Sequence, residues 1–579
     1  MPPSPSTKRQ KLAAPEAVQF NQSHIDNLEV LKTTYLSELP FPHILLPNAI
    51  SQPAQILNEV ISNLKVTYKE SDLFKFYQSV DLANFSDISS SSSTSSSTPT
   101  LLSLINLLYS SKFTSYIESL LSLPPSTLTS TVDMAANVHT SGCHLLAHDD
   151  CISTRCVSYI LYFSDSDWDC LVDGGGLELY DVNSVKKERD LVRPCKVINP
   201  TFGSMAMFRV NGGETVHSIQ EVTREGGVRM AIQGWYHQKE PAQGMEAATL
   251  GELKGGGKEV AVEGGGFVPF SIANDDADDV NDDVLKKYIN PTYLTPASME
   301  QIAQRFETDS SVQLREFLNE ETMKLVDFAT GEIDSGGGES GYDEGIGNGW
   351  SAVGPVHKQR YLELTTDTTT STSTTTTTTT ATTTTAQTII LSKLKTDLFS
   401  SPKFKSYLAK ITSLPPSTIL GRRGQIRRFR KGLDYTVAYH GQGTGKDTKI
   451  LDATVCFVKG GSGKQVLHSD ENEEEQHNAL DEVWESGEVG GFECYIAEDE
   501  EEDEEHTTFG DYNNEEENED NSELLSVRAG NNMLNLVLRD EGTLRFVKFV
   551  NHEAPGSRFD VCMEYEVEEA CNDDDEDDE

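Results

Sequence analysis

The sequence predicts a mainly β protein with flanking helices (α+β), built as two tandem copies of one sandwich or jelly-roll domain. Three observations carry this. First, the chain repeats itself: Ser111-Lys-Phe-Thr-Ser-Tyr-Ile117 leads into Ser122-Leu-Pro-Pro-Ser-Thr-Leu128, and Pro402-Lys-Phe-Lys-Ser-Tyr-Leu408 leads into Ser413-Leu-Pro-Pro-Ser-Thr-Ile419. Both 404 − 113 and 415 − 124 equal 291 positions, a period that means a duplicated domain rather than a solenoid. Second, each copy opens on a helical apolar pattern that stops at Leu-Pro-Pro, because proline disfavours helix in the residue before it. Third, short β-branched and aromatic runs separated by Gly-rich turns follow, the pattern of a sandwich or jelly roll.

In chain order, residues 1–20 read as a disordered start and 21–240 as the first domain, carrying a Ser-rich insert at 89–100. Within it Cys156–Phe163, Gly203–Val210 and Val228–Tyr236 read as strands. Residues 241–285 are rich in Gly, Ala and acids and read as a linker. Residues 286–568 form the second copy, with a Thr-rich insert at 365–387 and an acidic insert at 498–523, and 569–579 is an acidic tail. Such tracts cannot bury a core and stay solvated. The echoes continue: Gly174-Gly-Gly-Leu-Glu-Leu-Tyr180 resembles Gly490-Gly-Phe-Glu-Cys-Tyr-Ile496, and Met207–Val210 before His217 resembles Phe546–Val550 before His552.

At 579 residues the chain has room for two to four domains. Its 47 Lys+Arg against 93 Asp+Glu give a net charge of −46, which argues against direct nucleic-acid binding and favours a basic protein partner or simple solubility. No apolar run is long enough to predict a membrane span, and Met1-Pro-Pro-Ser-Pro has no secretory apolar region. Nine cysteines without a Cys-x-x-Cys pair read as reduced thiols of an intracellular protein. Lys8-Arg9-Gln10-Lys11 is a short cluster of the nuclear-import kind, so the expected location is nucleus and/or cytoplasm.

The chemistry concentrates in the first copy. His148 and Asp150 are two apart, so an extended strand points both to one face. His217 follows 67 positions after Asp150. Two imidazoles and one carboxylate leave three metal positions open, the arrangement of non-haem Fe(II) oxygenases, and a 2-oxo acid and O2 can fill them. The far carboxylate of such a co-substrate needs a cation. Arg229, 12 residues after His217 on a strand with Ala231, Gln233 and Trp235 on the same face, offers a two-pronged match, and Tyr162 offers a hydroxyl. A single His-x-Asp is usually coincidence; the ordered set of His-x-Asp, aromatic strand, Gly-rich turn, distal His and Arg is far more specific. His144 and His148 also make a His-x-x-x-His pair, but no Glu follows His144 and the flanks read as strand, so chance explains it.

These residues resemble a known family. His148-Asp-Asp150, Ile160-Leu-Tyr-Phe163, Gly174–Tyr180, Val216-His-Ser-Ile-Gln-Glu-Val222 and Gly234-Trp-Tyr-His237 look like the prolyl 3-hydroxylases of a small-subunit ribosomal protein, Fe(II)/2-oxoglutarate oxygenases of the Tpa1/Ofd1 type. Tyr288-Ile-Asn-Pro-Thr-Tyr-Leu294, Arg427-Arg-Phe-Arg-Lys-Gly-Leu-Asp-Tyr-Thr436 and Gly490–Ile496 look like that family's C-terminal domain. The resemblance implies two double-stranded β-helix domains, of which only the first is catalytic. It implies His148, Asp150 and His217 as iron ligands and Tyr162 and Arg229 as 2-oxoglutarate contacts. It also implies Fe(II), 2-oxoglutarate, O2 and L-ascorbate as cofactors and co-substrates. The implied reaction is C3 hydroxylation of a proline in the decoding-centre loop of the ribosomal protein, with effects on translation termination and on stress or oxygen response.

In the second copy His468-Ser469-Asp470 also spells His-x-Asp, with His552 and Arg558 behind it. A degenerate duplicate explains this better than a second iron site. The His552–Arg558 interval is 558 − 552 = 6 rather than 12, and Asp470 runs into an acidic tract. The competing reading of the whole chain is a regulator that senses O2 or 2-oxoglutarate and binds a protein partner through its C-terminal domain.

Overall fold

The computed structural model describes residues 17–82, 98–182, 192–253, 266–270, 283–335, 341–365, 386–438, 448–458, 482–497, 523–540 and 543–568. The Ser-rich, Thr-rich and acidic inserts and the tail, with His468 and Asp470, lie outside or almost wholly outside them.

The first domain has twelve strands: β1 His43–Leu46, β2 Val66–Glu70, β3 Phe74–Ser79, β4 Leu128–Val132, β5 Ala135–His139, β6 His144–His148, β7 Arg155–Tyr162, β8 Leu177–Leu179, β9 Lys196–Ile198, β10 Met205–Arg209, β11 His217–Ile219 and β12 Arg229–Gln238. They form one antiparallel path, β1-β10-β7-β12-β5-β3-β6-β11-β8-β9, with β2 on β3 and β4 on β12. Alternation sorts the side chains. Val157, Tyr159 and Leu161 of β7 and Met230, Ile232 and Tyr236 of β12 face a helical layer, while Ile160, Tyr162 and Ala231 face the barrel interior.

The repeated helix explains why both copies conserve one local pattern. Ser110 and Ser401 cap Ser111–Leu120 and Pro402–Thr412 by accepting from the amides of Phe113 (3.3 Å) and Phe404 (3.1 Å). Phe113, Tyr116, Ile117 and Leu120 in one, and Phe404, Tyr407, Leu408 and Ile411 in the other, bury one face. Each such side chain contributes about 1.5–3 kcal/mol on burial.

The second domain continues with β13 Val268–Pro269, β14 Ser311–Leu314, β15 Trp350–Val353, β16 Gln359–Leu364, β17 Ile419–Phe429, β18 Tyr435–Thr436, β19 Thr448–Val458, β20 Glu493–Ala497, β21 Glu523–Val527, β22 Met533–Arg539, β23 Thr543–Val547 and β24 Arg558–Glu568. Its sheets run β14-β22-β19-β24-β17-β16-β15 and β21-β20-β23. The first run matches β10-β7-β12-β5 of domain one and the second matches β9-β8-β11, so both domains share the double-stranded β-helix plan. The chain is thus mainly β with flanking helices, as the sequence predicts.

This pairing corrects one echo. The counterpart of Met207's strand β10 is β22, whereas Phe546 and Val547 lie on β23, the counterpart of β11. Two apolar runs looked alike, and only hydrogen-bond register separates them. None of the described helices is long and apolar enough to cross a membrane.

Candidate metal and co-substrate site

β6 and β11 are neighbours, with His148 directly opposite His217. Strand alternation is not what brings Asp150 to them: β6 ends at His148, and Asp150 sits at φ +61°, a left-handed turn that swings its carboxyl back over the strand end. Neighbouring Asp149 fixes that turn. Its Oδ1 accepts from the Cys151 amide (3.0 Å), and its Oδ2 from the amides of Gly213 and Thr249 (both 2.8 Å). Asp149 is a positioning residue that the sequence reading passed over, since its partners lie far along the chain.

His148 Nε2 lies 3.3 Å from Asp150 Oδ1, and His217 Nε2 lies 3.3 Å from Asp150 Oδ2. One ligand atom from each residue falls within 4.8 Å of the others, and the three form the single such cluster among the described residues. Each imidazole turns Nδ1 onto a backbone carbonyl, His148 to Leu146 (2.7 Å) and His217 to Thr215 (2.8 Å). A carbonyl only accepts, so Nδ1 carries the hydrogen and Nε2 presents its lone pair. Burial works against the Asp150 anion, but His217 and His148 outweigh it and hold its pKa well below the usual carboxyl range.

The two residues expected to meet the co-substrate, Arg229 and Tyr162, lie in the same barrel. Arg229 is fully buried, and its Nε donates to Gly175 O at 2.7 Å. Gly175 must be glycine: φ is +68°, and a Cβ would meet Arg229 Cδ at 3.0 Å and the Trp168 ring at 3.3 Å. The Arg229 guanidinium lies 5.4 Å from the Tyr162 ring, close enough to bias its protonation, yet both terminal nitrogens and the Tyr162 hydroxyl lack a hydrogen-bond partner. Burial pushes Tyr162 up to about 12 despite Arg229, and it lowers the pKa of Arg229 itself. Buried polar groups without partners are costly, so this set fits an anionic guest.

Two further residues were missed from sequence. His139, opposite Arg229 on β5, is buried with neither ring nitrogen partnered and stacks on Phe76 at 5.4 Å. Arg155, at the start of β7, lies 3.5 Å above the Trp235 ring. The signal was an arginine opening an otherwise apolar strand. A pocket opens beside the triad, lined by Leu73, His148, Asp150, Ile152, Thr249 and Leu253, so part of the segment read as a linker walls the site. His144 is not in the cluster; its ring packs 4.3 Å from Phe549 of the second domain.

The second domain keeps the frame, but its described residues form no such metal-ligand cluster. Gly491 (φ +71°) packs against Trp484, Val550 and Arg558 as Gly175 packs against Trp168, Val222 and Arg229. Arg558 therefore occupies Arg229's position and faces the same way, contrary to what its interval from His552 suggested. By the same register Arg545, opposite Tyr495, stands where His217 stands opposite Leu179. His552 belongs to the following loop and bonds Glu221 of the first domain (2.9 Å). His468 and Asp470 follow β19, the counterpart of β7, whereas His148 precedes β7 in the chain.

A buried two-His, one-carboxylate set beside an anion-ready arginine in a double-stranded β-helix defines an Fe(II)/2-oxoglutarate-dependent dioxygenase. Residues 134–237 match the 2OG-Fe(II) oxygenase superfamily, and 280–575 match "Oxoglutarate and iron-dependent oxygenase degradation C-term". The chain is 33% identical over 534 residues to prolyl 3,4-dihydroxylase OGFOD1 of Ostreococcus tauri, covering 91% of this chain and 95% of the relative. It is 25% identical to prolyl 3-hydroxylase OGFOD1 of Xenopus laevis (90% and 85% covered) and 26% identical to prolyl 3-hydroxylase sudestada1 of Drosophila melanogaster (89% and 81%). The chain belongs to this OGFOD1 family of prolyl hydroxylases.

Proposed function

We propose that this enzyme hydroxylates C3 of a prolyl residue in a small-subunit ribosomal protein of the decoding centre. The observation that supports it most is the buried triad in the same barrel as an arginine whose terminal nitrogens are unpartnered. In this reading His148, Asp150 and His217 hold Fe(II), and Arg229 and Tyr162 hold the distal carboxylate of 2-oxoglutarate. The iron, with 2-oxoglutarate and O2, supplies the oxidising power for C–H hydroxylation as the co-substrate is converted to succinate and CO2; L-ascorbate keeps the metal reduced. The chain's own part is geometric. The Leu146 and Thr215 carbonyls fix the imidazole tautomers, Asp149 fixes the turn, and the apolar barrel excludes water. The net charge of −46 suits a basic substrate. Residues 21–240 are the catalytic domain and 286–568 a non-catalytic one, acting in nucleus or cytoplasm.

The test is incubation of the purified protein with Fe(II), 2-oxoglutarate, ascorbate and the ribosomal loop peptide. A mass gain of one oxygen, located to proline by fragmentation, is expected. No gain, together with tight binding of a protein partner, would favour the regulator reading.

A further inference from the structure

The strand that carries His217 is gripped from behind by the second domain. Ser218, the next residue, is opposite Glu178 of β8 and donates to its Oε2 at 2.6 Å. The Tyr180 hydroxyl donates to the same oxygen at 2.6 Å. The other oxygen, Oε1, accepts from the hydroxyl of Tyr342 in the second domain. Gln220 Nε2, also on this stretch, reaches Tyr342 Oη at 3.4 Å. Glu178, Tyr180 and Ser218 are all buried.

Tyr342 is itself held. Arg430 donates to the Tyr342 and Glu344 carbonyls (both 2.9 Å) and is locked onto Asp434 (2.8 and 2.9 Å). Arg428 reaches Asp334 (2.8 Å) and Glu344 (3.4 Å). Arg360 donates to Leu433 O (2.8 Å), lies 5.3 Å from the rings of Tyr342 and Tyr435, and reaches the Tyr180 hydroxyl at 3.5 Å. This gives a role to the segment Arg427-Arg-Phe-Arg-Lys-Gly-Leu-Asp-Tyr-Thr436, which the catalytic chemistry leaves unused. It builds the loop that presents Tyr342.

We propose that Tyr342 is a positioning residue for the metal site: through Glu178 and Ser218 it sets the backbone of β11, and so the placement of His217. The second domain is then a clamp on the iron site of the first. A contact that merely glued the domains together could end anywhere on the interface. This one ends on one oxygen of a buried carboxyl whose other oxygen accepts from Ser218, the residue after His217. Adjacent Asp343 supplies the contrast, since it pairs with half-exposed Arg193 at 2.9 Å and touches none of the Glu178 donors.

The inference rests on the metal reading above, and the test separates the two. Mn(II), a redox-inert stand-in, is titrated into the full-length protein without substrate, and free Mn(II) is read by electron paramagnetic resonance. Tyr342→Phe is expected to weaken Mn(II) binding on the order of tenfold, as loss of outer partners of metal ligands does, with Asp343→Ala within about twofold of the unaltered chain. Ser218→Ala should weaken binding comparably, and the Tyr342→Phe/Ser218→Ala pair should be little worse than either alone, because both act through one carboxyl. Additive losses, unchanged binding in Tyr342→Phe, or equal loss in Asp343→Ala would overturn the inference while leaving the metal reading intact. If the unaltered chain binds no Mn(II), both fall.

Discussion

Arg229 gives the sharpest test of the co-substrate reading, because its two substitutions move different quantities. In the free protein the guanidinium is buried, one nitrogen is spent on Gly175 O, and both terminal nitrogens are unpartnered. A bound carboxylate would accept two parallel, charge-assisted hydrogen bonds. Arg229→Lys keeps a charge but loses the fork and the Gly175 anchor. Each hydrogen bond to a charged group is worth about 1.5–3 kcal/mol, so losing one raises the 2-oxoglutarate requirement by roughly 10- to 150-fold. The assay is turnover against 2-oxoglutarate at saturating peptide, then against peptide at saturating 2-oxoglutarate. The first KM should rise by that factor and the second should hardly move. Arg229→Gln removes the charge. Co-substrate at about 100 times Kd stabilises the unaltered protein by about 2.7 kcal/mol, a thermal shift this variant should lack. Without ligand the variant's stability should change little, since the lost Gly175 bond is offset by relief of a buried cation whose terminal nitrogens are unpartnered. An unchanged 2-oxoglutarate titration in Arg229→Lys would refute the role. Destabilisation of ligand-free Arg229→Gln by several kcal/mol would show that the terminal nitrogens already have a partner in the protein.

Three further outcomes are expected. His148→Ala or Asp150→Ala should abolish turnover and metal uptake together, since each removes one of three ligands; wild-type rates in either would undo the ligand assignment. Burial lowers the pKa of His139 well below the ordinary value and that of His144 to about 3. Their unfolded forms therefore take up protons first, and stability should fall as pH drops from about 6.5 towards 3, by up to about 1.4 kcal/mol per pH unit for each histidine. Denaturant unfolding of His144→Leu should show a shallower acid slope, and an identical slope would count against a buried neutral imidazole. Arg558→Gln should cost about 3–5 kcal/mol, the penalty for breaking a buried ion pair, with no change in 2-oxoglutarate KM; a KM shift would point to a second co-substrate site.

The parts legible in sequence were those with a local cause. The capped helices show in Ser110, Ser401 and the Leu-Pro-Pro stops, and the strands show in their β-branched runs. The triad showed because His-x-Asp and the distal His are read by type and spacing, although Asp150 arrives through a left-handed turn and not through strand alternation. What stayed hidden depends on the closed barrel. Arg155 and His139 are interior only because β7 and β5 curl round the site, and Thr249 meets Asp149 across 100 positions. The echo that set His552 against His217 failed for the same reason. His552 and Arg545 are both polar residues near an apolar run, and only strand register shows which stands opposite Tyr495, the counterpart of Leu179.

The two barrels then show what the same frame can be used for. At one position domain one places Arg229 without an anion and domain two places Arg558 with two, Glu493 at 3.3 Å and Asp560. Arg427 closes the second network, donating twice to Asp560 (2.9 Å each) and to Glu493 (3.2 Å). Where His217 offers a lone pair to a metal, Arg545 offers a cation, already paired with Asp452 at 3.0 Å. A cation at that position repels a metal ion, and each carboxyl beside it, Asp452, Glu493 and Asp560, is paired with arginine. The space that in the first barrel is left for guests is, in the second, occupied by the protein's own charges. Such a network is worth little as net stability but fixes one arrangement of strands. Fixed strands suit a domain whose loop at Tyr342 presses on the neighbouring barrel: a clamp must be stiffer than what it holds.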